Sequence, residues 1–380
     1  MAARAAPAGR RGALRRPLLT ERAQEALTAY AFLAPFLFGL VVFFAYAFVR
    51  TVYFSFTRYD LFHPPQWVGL DNYLAIFQEP RFLTALANSL TFAAVVTTAQ
   101  TVFALMLALV LNQKLKGITF FRAAYYMPSV TSSIVITLIF IWLFQRTGVM
   151  NYLLTLAATY WQMLLAFLAL TALVQAALVI AERRRHLPAS VLEPSLLVVA
   201  MMVAAAATAG LAAAGVVRAF PRQEPVIITW LNTRRRFPDW GAPIPLEAIM
   251  MLNTWTTAPT FMLLYLAGLQ DIPRELYEAA SVDGATPWQQ FRHITVPQLR
   301  HVSFLVVTLG LIGTLQMFDQ VAIIGDQAPL ESVITLAYYV YNNVFPGGAL
   351  PRIGAASAGA VILAVLTLVV VLIQRKVVER

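Results

Sequence analysis

Runs of about twenty apolar residues follow one another along this chain of 380 residues, and no other feature limits its fold so severely. They lie at about 29–50, 86–111, 124–144, 160–181, 195–217, 247–269, 301–324 and 354–374. A helix rises about 1.5 Å per residue, so each run is long enough for a hydrocarbon core about 30 Å thick. Composition agrees: 59% of the residues are hydrophobic and 12% are charged, whereas soluble domains carry about 25% charged residues. The expected fold is an all-α polytopic membrane protein with about eight transmembrane helices.

Charge sets the expected orientation. Arg4, Arg10, Arg11, Arg15, Arg16 and Arg22 precede the first run; Lys114, Lys116 and Arg122 lie between the second and third. Arg183, Arg184 and Arg185 separate the fourth from the fifth, and Arg274, Arg292 and Arg300 follow the sixth. Arg375, Lys376 and Arg380 close the chain. In an eight-span chain all five groups fall on one side, which the positive-inside rule makes cytoplasmic, with both termini there. Arg218, Arg222 and Arg234 to Arg236 fall on the outside and find no account at this level. Ala45-Tyr46-Ala47 mimics a signal-peptide cleavage site. The run before it is longer than a usual signal segment, so a retained first span is expected.

Several function classes drop out. The net charge of +10 is the flanking charge of membrane spans rather than a nucleic-acid footprint. The chain has no Cys, hence no thiolate chemistry or cysteine metal site. His63, His186, His293 and His301 form no HExxH and no compact ligand cluster, so no metal is expected. No GxxxxGK[ST] occurs, so the chain builds no P-loop of its own, and no nucleophile–base constellation stands out.

The segment DIPRELYEAASVDGATPWQQFRHITVPQLR, residues 271–300, is polar amid this oily sequence. Asp271 is expected to cap a helix with Pro273 in its early turn. Leu276, Tyr277, Ala279 and Ala280 recur at helical spacing, and Gly284 permits a sharp turn. Pro287 is expected to start a second short helix and Pro297 to end it. The product is a helix–turn–helix knob, with small alanines beside a carboxylate.

This segment resembles the signature of the inner-membrane permeases of binding-protein-dependent ABC importers: EAA, three residues, Gly, nine residues, then I-x-[LV]-P. Here Glu278, Ala279, Ala280, Gly284, Ile294 and Pro297 meet every fixed position and both gaps. SFTRYD at 55–60, WVGLDNY at 67–73, LALVLNQKLKGITFFRAAYYMPS at 107–129, NTW at 253–255 and LQMFDQ at 315–320 resemble the carbohydrate-uptake, maltose-type branch. The resemblance implies a multi-pass subunit of a prokaryotic plasma (inner) membrane that is not itself an enzyme. It implies that 271–300 is a coupling loop docking on a cytoplasmic ATPase, with Glu278 pairing charge and Gly284 making the turn. The implied partners are a second permease, two copies of the ATPase, an external solute-binding protein and the lipid bilayer, with no nucleic acid. ATP and Mg belong to the ATPase, and no cofactor is implied for this chain.

The family core has six spans. That leaves 1–28 as a basic tail, 29–156 and 220–380 as the two parts of the core, and 157–219 as an inserted hairpin. Parity requires the insert to cross twice or not at all if 271–300 is cytoplasmic. Ala206, Gly210 and Ala214 lie four apart, a face on which another helix could pack closely.

Polar groups inside spans are the candidates for solute contact, because lipid-facing positions disfavour them. Asn253, Trp255, Thr256 and Thr257 lie before the loop; Thr314, Gln316, Asp319 and Gln320 lie after it. Amides beside an indole suit sugars, which combine hydroxyls with an apolar face, and a glycerol phosphate or other organic solute is the alternative cargo. A secondary transporter would instead show internal repeats or interrupted spans around intramembrane charges. A membrane-embedded enzyme would need acidic or histidine groups in register, and only Asp319 comes near.

Overall fold

The computed structural model describes residues 21–112, 118–185, 194–220, 224–239 and 241–378. Lys114, Lys116, His186, Arg222, Arg380 and most of the basic tail lie outside them. α1 (Glu21–Gly39) and α2 (Tyr46–Ser55) join through a wide turn at Leu40–Ala45 into one apolar rod. Phe32, Phe36, Phe43 and Phe44 stand exposed along it, a surface that lipid rather than water must cover. A two-residue antiparallel ribbon, β1 (Thr57–Arg58) on β2 (Gln66–Trp67), and α3 (Asp71–Gln78) lead into α4 (Pro80–Leu111).

Next come α5 (Ile118–Val130), α6 (Ser133–Leu143), α7 (Val149–Arg184), α8 (Pro194–Ala213) and α9 (Ile244–Gln270). α10 (Arg274–Val282), α11 (Pro287–Gln290) and α12 (Val296–Gln298) build the polar loop. α13 (Arg300–Leu315), α14 (Asp319–Ile324), α15 (Leu330–Val333), α16 (Leu336–Val344) and α17 (Ile353–Val378) complete the chain.

Among the described residues six helices are long and apolar enough to cross a membrane: Glu25–Ser55, Pro80–Leu111, Val149–Arg184, Ser195–Ala213, Arg300–Gln327 and Ile353–Lys376. The two other expected spans take different forms. The run at 124–144 is not one helix: α5 and α6 meet at a bend of 97°. Pro128 removes one backbone donor, and Ser132 leaves helical geometry at ψ 134°. Ser129 and Thr131 turn their hydroxyls back onto the carbonyls of Tyr126 and Met127 at the break. The run at 247–269 lies in α9, whose Asn253, Thr254, Thr256, Thr257 and Pro259 dilute its hydropathy.

The run at 301–324 also breaks, at Gln316–Phe318. The Met317 carbonyl freed there accepts from Thr335 Oγ1 at 2.8 Å. In the 157–219 segment α7 begins at Val149, ahead of the expected start, and bends at Tyr160, where φ is −109°. Its 36 residues span about 54 Å, well beyond a hydrocarbon core. α8 packs along α7 through Ala200, Ala204 and Thr208. Ala206, Gly210 and Ala214 lie on an exposed face, so the close-packed stripe is rotated from the one expected. Bulky Met201, Met202 and Val203 head the other three lines of residues spaced by four, and only the 200–204–208 line is free of them.

α4 and α9 make the most extensive helix pair, and α13 packs on both. At one end of α4, Phe82 and Ala85 join Ile76, Tyr339 and Ala355 in a buried cluster. At the other, Ala104, Ala108 and Leu111 meet Met262, Tyr265, Leu299 and Val306, with Tyr277 and Ile294 of the polar loop against them. The loop is thus seated at the end of the bundle away from the β ribbon.

The segment after α8 folds back along α7. Asn151, 4% exposed, binds Ile228 through both backbone groups and accepts from Trp230 Nε1 at 3.0 Å. Thr155 Oγ1 accepts from Val226 N at 3.0 Å, and Trp161 stacks on Phe220. Leu231 then enters the apolar core beside Phe144 and Leu246. Three of the arginines unexplained by sequence find local partners: Arg218 Nε donates to the Gly215 carbonyl, Arg234 lies 3.7 Å from Glu331, and Arg236 donates to the Gly241 carbonyl.

Candidate functional site

The polar loop is a self-braced projection. Pro273 is the N-cap of α10 and offers no side-chain cap; Asp271 instead ends α9, so the expected Asp271 cap is not formed. Beyond the end of α10 the chain turns at Gly284, whose φ of +78° is the left-handed region that favours glycine. Thr286 and Gln289 form a reciprocal capping box, and Pro287 takes the first helical position of α11. Across the turn, the Tyr277 and Thr295 hydroxyls pair at 2.9 Å, and Gln290 Nε2 donates to Ser281 Oγ at 2.8 Å.

Pro297 does not end the second helix as expected. The turn at Phe291–Thr295 widens to a π turn and α12 continues toward α13, with Leu299 N bonded to the Thr295 carbonyl. A widened turn gives the proline ring room against the preceding carbonyls. Of the signature residues, Glu278, Ala279, Gly284 and Pro297 are exposed, while Ala280 and Ile294 are half-buried. Val282 is 89% exposed and Trp288 66%, so the knob presents apolar side chains beside its carboxylate at the tip. Such a surface fits a groove in a second protein.

The second arrangement lies inside the bundle. The bend between α5 and α6 opens a cleft of about 230 Å³ lined by Ser129, Thr131, Ser133 and Thr137 on one wall. Thr256, Thr257 and Thr260 of α9 and Gln320 of α14 form the other. The structure therefore brings Thr256, Thr257 and Gln320 together out of the candidates. Asn253 is buried behind them, its carbonyl accepting from Thr256 and Thr257. Thr314 is also buried and pairs with Thr97 at 3.1 Å. Trp255 points elsewhere, against Phe140 and into an apolar hollow with Phe103, Phe121 and Pro259. Gln316 and Asp319 are exposed at the helix break and line no part of the cleft.

Sequence reasoning missed Ser129, Thr131, Ser133, Thr137 and Thr260. A signal was present: Pro128-Ser129-Val130-Thr131-Ser132-Ser133 interrupts an apolar run with a proline and four hydroxyls. Interrupted spans are where irregular backbone lines cavities in membranes. The cleft holds hydroxyls and one amide and no ionised side chain, an inventory suited to hydrogen-bonding a neutral polyol. Among the described residues no group of three His, Cys, Asp or Glu side chains could hold a metal ion.

Comparison with known proteins converges on one family. Residues 193–380, from α8 through the polar loop to the last helix, match the model of the binding-protein-dependent transport system inner membrane component. The probable ABC transporter permease protein YurN of Bacillus subtilis is 28% identical over 93% of this chain and 96% of its own. The arabinooligosaccharides transport system permease protein AraP of the same organism is 28% identical, covering 91% and 87%. The lactose transport system permease protein LacF of Rhizobium radiobacter is 27% identical over 84% of each chain. In fold, a chain of a bacterial ABC transporter involved in the import of the acidic polysaccharide alginate matches with a TM-score of 0.63 at 19% identity, covering 94% of this chain and 96% of that one. By sequence and fold the chain resembles the permease subunits of binding-protein-dependent ABC importers, multi-pass proteins of the inner membrane, and among them the carbohydrate-uptake branch.

Proposed function

We propose that the chain moves a sugar or oligosaccharide across the plasma membrane by alternating access, in an importer driven by a separate ATPase. The observation that carries this reading is the projecting loop. Glu278 and exposed apolar residues are held on a braced knob at one end of α9 and α13, the same two helices that bear Thr257 and Thr314. A motion imposed on the knob is thereby delivered to α9, which carries one wall of the cleft, and to α13 packed beside it. The hydroxyl-rich cleft supports a neutral polyol as cargo, and relatives named for arabinooligosaccharides, lactose, multiple sugars and trehalose/maltose support the sugar class.

In this reading the chain crosses the membrane eight times, with both termini and the knob in the cytoplasm. α7 and α8 are an inserted hairpin in a six-span core. Tyr160 and Trp161 lie at the outer interface, where amphipathic rings are favoured. Arg183 to Arg185 then reach the cytoplasm about 33 Å further along the helix. A second permease, two copies of the ATPase that binds ATP and Mg, and an external solute-binding protein complete the unit. Glu278→Lys tests the coupling: stimulated ATP hydrolysis should separate from uptake while the protein stays in the membrane. Normal hydrolysis and normal uptake in that variant would remove the docking role.

A further inference from the structure

Gln100 lies in the middle of α4 at 1% exposure and is not part of the cleft wall. An amide inside a membrane span is costly unless it is used. Its Oε1 is 2.6 Å from Thr257 Oγ1, across the α4–α9 contact. Its Nε2 has no hydrogen-bond partner among the described residues and rests against Gly310 of α13. A Cβ at position 310 would stand 2.5 Å from that nitrogen, so a larger residue there would have to displace the amide. Gln100 therefore sits where α4 meets both helices that flank the polar loop.

The Thr257 hydroxyl has one hydrogen and two acceptors in reach, Gln100 Oε1 and the Asn253 carbonyl at 2.7 Å. It donates to Gln100; or, with the amide turned over, it accepts from the NH₂ and donates to Asn253. In both arrangements its hydrogen is engaged inside the protein and at least one lone pair is left for the cleft. Thr257 then meets a solute as an acceptor and never as a donor.

We propose that Gln100 is a positioning residue for the cleft, holding the Thr257 oxygen as a fixed acceptor for a solute hydroxyl, in a seat kept open by Gly310. This rests on the reading of the cleft as the solute contact. Two measurements on the full chain in lipid nanodiscs separate them. In the first, without solute, Thr257→Val should shift the unfolding midpoint when Gln100 is present, and by less than half as much in Gln100→Leu. Equal shifts in both backgrounds would overturn the Gln100 assignment and leave the solute reading intact.

In the second, maltose, trehalose, lactose and arabinotriose are titrated as probes. For a sugar that the wild type binds, Gln100→Leu should weaken binding about three- to tenfold, the worth of one neutral hydrogen bond. The double variant Gln100→Leu/Thr257→Val should be no weaker than Thr257→Val alone. Gly310→Ala, which alters neither Gln100 nor Thr257 chemically but displaces the amide, should show the same loss. Gln100→Glu, which keeps an oxygen at that reach, should recover most of it. Unchanged affinity in Gln100→Leu, or additive losses in the double variant, would overturn the proposal. A wild type that binds none of the four sugars would overturn the solute reading whatever the first measurement gives.

Discussion

Asn151 offers the sharpest test of how residues 226–231, the strap that folds back along α7, are held. Its amide donates to the Arg146 and Ile228 carbonyls at 2.9 Å each and accepts from Ile228 N and Trp230 Nε1 at 3.1 and 3.0 Å. Asn151→Leu keeps the number and branching of the side-chain heavy atoms and removes all four bonds. The strap partners are half-buried, so water recovers part of the loss, and the low end of the hydrogen-bond scale applies. Three of the four bonds hold the strap to α7, and at about 0.5–1 kcal/mol each they give about 1.5–3 kcal/mol against local opening. Opening should become roughly tenfold to a hundredfold more frequent, at a factor of ten per 1.4 kcal/mol. Hydrogen exchange at 226–231 reads this directly. Trypsin supplies a second readout, because Arg234, Arg235 and Arg236 follow the strap and are exposed. Unchanged exchange and unchanged cleavage in Asn151→Leu would refute the reasoning, and so would loosening that spreads evenly over α4 and α9.

Three further outcomes are expected. A single cysteine at Arg184, in a chain that has no other, should react with an impermeant thiol reagent only from the cytoplasm; labelling from outside would break the eight-crossing arrangement. Gly284→Val has open space around it, so its cost is the left-handed backbone, about 1–2 kcal/mol, and it should lower stimulated ATP hydrolysis without lowering the amount of chain in the membrane. The His63 ring first, and the His63 backbone second, hold the Asp60 carboxyl below the usual aspartate range. A lowered carboxylate pKa stabilises the folded turn at neutral pH and loses that effect as pH falls through the lowered value. Protection of the Phe62 and His63 amides, taken relative to their intrinsic exchange rates, should therefore hold at pH 6 and fall only below pH ~4; a loss already at pH 6 would contradict the assignment.

The polar loop was legible in the sequence because its constraints are local. Gly284 turns and Pro287 starts a helix whatever surrounds them. The bracing was not legible, since the Tyr277–Thr295 and Gln290–Ser281 pairs join residues 18 and 9 apart whose meeting depends on the angle of that turn. The apolar runs were visible; the break at 128–133 left a signal in its proline and hydroxyls, while the break at 316–318 left none. Gln316 to Phe318 carries no proline or glycine, and its unwinding is stabilised by Thr335 from another segment. Thr314 and Asn253 had the right composition for a solute contact, yet the packing of α4 turns Thr314 toward Thr97 and leaves Asn253 behind Thr256 and Thr257. Periodicity places a residue on a face; it does not say which neighbour that face will meet.

The length of α7 has a mechanical corollary. Because Val149–Arg184 is a single helix, bent only at Tyr160, the strap at its start and the arginines at its end are mounted on one shaft. Adding or deleting one residue between Asn151 and Trp161 would advance everything beyond by about 1.5 Å and swing it by about 100°. The Ala200–Ala204–Thr208 seam of α8 would travel with it, since it grips only α7's side of the pair. Substitutions along this shaft can be absorbed one at a time. Changes of length cannot, unless they come in steps of about seven residues, two full turns, which return the hairpin to its bearing.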